Sequence, residues 1–166
     1  MSIAEAVQRA SAYLTEHPDE ARYRDSAATA RIEAGLVATV TGPGGERITT
    51  DMPQGIGGTA TAPSPGWLLR AATASCVASL IAIRAAVVGV ETATIEVEVD
   101  SESDDRGILG LDEAVPAGAL SFRVIVRLTG PDLDGDVRQT LVDWAVAHCP
   151  VSESLGRAVP LSIDIV

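Results

Sequence analysis

The chain has 166 residues, 46% hydrophobic and only 3% aromatic, so its core must be built from Ala, Val, Leu and Ile. Its formal charge is −11, and all 12 of its basic residues are arginine. The lack of lysine excludes a Schiff-base or phosphate-loop lysine, and an acidic surface offers no basic patch to nucleic acid or an anionic membrane.

This length predicts a single domain over residues 1–166, large enough to bury a core of its own. Residues 1–18 read as a peripheral helix, opened by the capping pair Ser2 and Glu5 and ended by His17-Pro18. The N-terminus shows no basic segment followed by an apolar one, so a cytosolic location is expected. Alternating residues 31–41, the turn Gly42-Pro43-Gly44-Gly45 and residues 47–51 predict a β-hairpin. Residues 52–65, rich in Gly, Pro, Thr and Ser, read as a loop containing Gly57-Gly58.

From Pro65 to Gly89 an apolar run predicts a long helix with Gly89 at its C-cap. Arg70 and Arg84 interrupt the run and leave 13 residues between them, too few to cross a bilayer. Apolar residues lie on every side of this helix, so burial nearly all round is expected, in part by a second subunit. Residues 94–100 and 122–128 alternate strictly and predict two strands. If these pair antiparallel, Glu96, Glu98 and Asp100 face Arg123 and Arg127 on the solvated side. The excursion 101–120 carries Ile108, Leu109 and Leu111, which are expected to pack. A helix over 136–148, a short helix over 151–157 and a closing strand over 161–166 complete the reading.

Two cysteines concentrate the chemistry. Cys76 lies inside the apolar helix and reads either as a core residue or as a thiol facing an apolar pocket. Cys149 precedes Pro150 at a helix start, where free N–H groups and the helix dipole favour a thiolate. No cysteine or histidine pair has metal-ligand spacing, so no metal and no cofactor is expected. His148 adjoins Cys149 in sequence, but successive helical residues point about 100° apart, which argues against a Cys-His hydrolase.

The run Pro65-x-x-Leu68-Leu69-x-Ala71-Ala72-x-x-Ser75-Cys76, followed by a helix ending in Cys149-Pro150-Val151-Ser152, resembles the OsmC/Ohr family over residues 29–166. The family comprises osmotically inducible and organic-hydroperoxide-resistance proteins. The resemblance implies an intertwined homodimer of α+β subunits, with long central helices buried between antiparallel sheets. It also implies a peroxidase of stress defence that acts on an organic hydroperoxide and is recycled by a dithiol reductant. Cys76 would then be the peroxidatic thiol and Cys149 the resolving thiol. Where the family has glutamate after its proline, this chain has Gly66. The family's thiolate-stabilising arginine has no match in position; Arg47 and Arg31 are the first candidates and Arg70 the third. The rival expectation is a dimer that binds a small apolar ligand, with the cysteines retained in the core.

Overall fold

The structure is a computed structural model that describes every residue except residue 132. It divides into two compact units, Gln8–Leu69 and Met1–Val7 with Arg70–Val166.

Helix α1 (Ile3–Glu16) opens on the reciprocal cap expected from its sequence: Ser2 N–H donates to Glu5 Oε2 at 2.7 Å, and Glu5 N–H to Ser2 Oγ at 3.2 Å. None of its residues is buried. A turn of 3-10 helix, Pro18–Ala21, follows.

In the unit Gln8–Leu69 the expected hairpin is a three-stranded antiparallel sheet, β1 (Thr29–Ile32), β2 (Ala38–Thr41) and β3 (Arg47–Thr50), in the order β1-β2-β3. Residues 31–41 therefore do not form one strand. Gly35 takes φ +60°, a left-handed conformation that reverses the chain and pairs Ile32 with Ala38. After β3 the loop closes on Asp51, which is 1% exposed. Its carboxylate accepts from the backbone of Met52, Thr59 and Thr61 and from both threonine hydroxyls. Glycine is required beside it at position 58, where any Cβ would strike the Met52 carbonyl.

The unit containing Arg70–Val166 holds the core. Helix α2 (Pro65–Val88) ends at Gly89, φ +75°, in the expected C-cap. By length and composition alone α2 could cross a membrane; Val77, Ile81 and Ala85 instead lie buried in the hydrophobic core. Burial on all sides is not seen within one chain, since Trp67, Leu69, Val87 and Val88 are exposed.

Strands β4 (Thr94–Glu102) and β5 (Ser121–Thr129) pair antiparallel with Glu96 opposite Arg127 and Asp100 opposite Arg123. The expected ladder forms: Arg123 pairs with Asp100, and Arg127 with Glu96 and Glu98. Ile95, Val97, Val124 and Val126, on the other side, pack against the core. Between the strands lies a one-turn helix, α3 (Asp105–Ile108), capped by the Asp104 carboxylate. The expectation that the excursion packs through Ile108, Leu109 and Leu111 is not met, because all three are exposed.

Helix α4 (Gly135–His148) starts where Asp134 accepts from Val137 N–H at 2.8 Å, and it buries Leu141 and Ala145. Helix α5 (Pro150–Gly156) follows directly. Residues 161–166 form no strand. Leu161, Ile163 and Ile165 alternate as a strand would, but no neighbouring strand of the same chain takes up their hydrogen bonds, and all three are exposed.

Candidate thiol site and arginine face

Cys149 links α4 to α5. Its extended backbone, φ −77° and ψ 115°, breaks the helix and makes it the N-cap of α5, with Pro150 fixed in the first helical position. The Sγ atom accepts from Ser152 N–H at 3.5 Å. Ser152 Oγ bridges back to the carbonyls of Val146 (3.0 Å) and Cys149 (3.3 Å), tying the end of α4 to the start of α5. Cys149 is completely buried within the core cluster.

Cys76, from the middle of α2, packs against that same cluster and is only partly buried. The two sequence-distant cysteines are thus brought together as free thiols. Their acidities separate. Burial, and then the hydrogen bond to Cys149, push the Cys76 thiol up, against a smaller opposing effect of the Val151 N–H. For Cys149, burial also acts upward but is outweighed by hydrogen bonds from Cys76, from the Ser152 side chain and from the N–H groups of Ser152 and Val151. The net shift of Cys149 is downward, opposite to that of Cys76.

No arginine is among the causes acting on Cys76. Arg70, the third candidate, donates from Nη1 to Ser101 Oγ at 3.1 Å. Arg31 and Arg47 belong to the other unit, where they share one face of the β1-β2-β3 sheet. Arg31 stands opposite Thr39 and Arg47 opposite Thr41, and with Thr29 these residues line a cleft of about 520 Å³. Neither arginine enters an ion pair among the described residues. Glu33 also lines the cleft, so its two arginines stand beside one carboxylate and three threonine hydroxyls.

Ser152 and Val151 are the site residues whose part the sequence reading did not assign. Their signal was present: residues in the first turn behind a capping cysteine must aim their N–H groups at its sulfur. Gly66 lies in the first turn of α2 and brings no carboxylate to the site.

The family model described as OsmC-like protein matches residues 58–164. Among curated proteins, none matches by sequence. The fold is shared with several solved structures. An osmotic stress induced and detoxification response protein from Psychrobacter arcticus has a TM-score of 0.64 and 22% identity over 80% of this chain and 90% of that one. An organic hydroperoxide resistance protein OsmC from Legionella pneumophila gives 0.60 and 23% over 81% and 90%. The organic hydroperoxide resistance protein OhrB of Bacillus subtilis gives 0.53 and 24% over 79% and 90%. The matched segment spans more than half of the sequence and includes both cysteines, and the chain belongs to the OsmC/Ohr family.

Proposed function

We propose that the protein is a cytosolic, homodimeric thiol peroxidase that reduces organic hydroperoxides in stress defence. The observation that carries this reading is the pair of free thiols packed in one core cluster, one partly exposed and one buried. Exposure supports the division of roles. Cys76 is the thiol a hydroperoxide can reach, and Cys149 waits beneath it.

In the first step Cys76 loses its proton, and its thiolate attacks the O–O bond. One oxygen stays as a sulfenic acid and the other leaves as alkoxide, which takes a proton to become the alcohol. The Cys149 thiolate then attacks the sulfenic sulfur, forming the disulfide and releasing hydroxide, which is protonated to water. An external dithiol reduces the disulfide and returns both thiols. Cys149 is suited to the second step because Ser152 and Val151 already stabilise its charge. Cys76 needs charge compensation for the first, and we assign that to Arg31 or Arg47 on the family resemblance alone, in which an arginine of the first hairpin has this role.

Peroxide consumption with a dithiol tests the assignment. Turnover is expected from the unmodified protein and none from Cys76→Ser, while Cys149→Ser should give one turnover and a trappable sulfenic acid. Gly66 and the raised pKa of Cys76 favour a second reading, a binding protein for small apolar molecules. Equal, slow peroxide loss with the unmodified protein and Cys76→Ser would decide for it.

A further inference from the structure

Arg84 is the second charged residue of α2, eight positions and about 12 Å of helix beyond Cys76. Like Arg70, it enters no ion pair among the described residues. Its guanidinium carbon lies 5.1 Å from the centroid of the Trp144 ring. That ring stacks in turn on His148, with centroids 4.3 Å apart. The Nε–H of Arg84 is buried and has no acceptor, and it is the one such side-chain atom found among the described residues. A buried donor left unmatched costs on the order of 1–3 kcal/mol, so its presence calls for an explanation.

A cavity of about 280 Å³ adjoins this arginine. Val88, Val90, Val137 and Leu141 give it apolar walls, and Thr140 adds a hydroxyl already bonded to the Asp136 carbonyl at 2.8 Å. Asp136 also lines the cavity, in the first turn of α4, where the helix dipole offsets part of its charge. Neither cysteine contributes to the walls.

We propose that this cavity is a second binding site, for a small monocarboxylate with a compact apolar tail, held by Arg84. A guanidinium stacked on an aromatic face keeps its edge free, and a carboxylate meets that edge with two parallel N–H bonds. The carboxylate supplies the acceptor that Nε lacks, and the valine and leucine walls take the tail. The volume lies just under the usual range for drug-sized ligands, which limits the tail to an aryl ring or short chain. Asp136 sets the charge preference, because a second carboxylate on the ligand would face its own.

Calorimetric titration of the full chain with sodium benzoate and with benzamide tests the site. Benzoate should bind once per chain and at least tenfold more tightly than its neutral isostere. Arg84→Met should weaken benzoate at least tenfold, Arg84→Lys should lie between, and Cys76→Ser should leave binding intact. In the Trp67→Phe protein, benzoate should shift the indole N–H resonance of Trp144. Equal binding of benzoate and benzamide, no binding of benzoate, or loss of binding in Cys76→Ser would each overturn the proposal. The first two comparisons need no Arg84 variant, so they decide the matter even if Arg84→Met fails to fold.

Discussion

At the scale of single residues, the two thiols are shifted in opposite directions, Cys76 upward and Cys149 downward. Removing Cys149 removes the hydrogen bond and the charge that raise the Cys76 pKa, leaving burial as the upward effect. Cys149→Ser should therefore make Cys76 alkylate faster at pH 7, with its pH profile moved to lower pH. Mass-spectrometric rates with iodoacetamide measure this, and an unchanged profile would show that the thiols do not interact. Asp51 is the second residue with a readable titration. Its pKa is driven below the usual carboxylate range, first by the Thr59 hydroxyl and then by the Thr61 N–H. A folded value below the unfolded one means that its stabilisation is complete above the ordinary carboxylate range and fades as pH falls toward the folded value. Asp51→Asn should lower the urea midpoint at pH 7 and flatten the acid side of the stability profile. A variant that loses stability with falling pH as steeply as the parent protein would contradict this.

At the scale of elements, packing outweighs exposed charge. The Arg127–Glu96 and Arg127–Glu98 pairs are half exposed, and such pairs contribute about 0–1 kcal/mol each. Leu141, 2% exposed in the core between α4 and its neighbours, belongs to a class whose truncation to alanine costs about 2–5 kcal/mol. Chemical denaturation should accordingly rank Leu141→Ala well below Arg127→Ala. The loop after β3 gives a sharper pair. Gly58→Ala should destabilise by about 1–3 kcal/mol, because its Cβ meets the Met52 carbonyl. Gly55→Ala, with nothing within 4 Å of the added Cβ, should stay within about 0.5 kcal/mol of the parent. Equal effects at the two positions would mean that the loop relaxes around the clash.

At the scale of the whole molecule, much apolar surface has no cover within one chain. Val87 and Val88 on α2, Ile108, Leu109 and Leu111 after β4, and Leu161, Ile163 and Ile165 at the C-terminus are exposed. The sheet beneath the core has only two strands, and two-stranded ribbons are marginal by themselves. A homodimer burying well over about 2,000 Å² is the expected state. Light scattering should give twice the 17.1 kDa chain mass at micromolar concentration. Deleting residues 161–166 should weaken the dimer, and a stable monomer would sink the proposed assembly.

The sequence by itself determined the local elements, since local chemistry is enough to specify them. Ser2 and Glu5 capped α1, Gly89 ended α2, Cys149-Pro150 started α5, and the alternation of β4 and β5 fixed which faces carried charge. Gly35 was the exception in β1-β2, because the chain reversal it allows looks, in sequence, like an interruption of one alternating strand. The closing strand at 161–166 failed for the opposite reason: alternation specifies a strand only where another strand supplies its hydrogen bonds. Tertiary structure alone decided which charges met which partners. It brought Cys76 to Cys149 across more than 70 residues and set their acidities in opposite directions by burial and N–H geometry. It also gave Arg70 a hydroxyl partner and left Arg84 over an indole with its Nε unmatched. Distance and desolvation govern those outcomes, and neither is written in the spacing of residues along a chain.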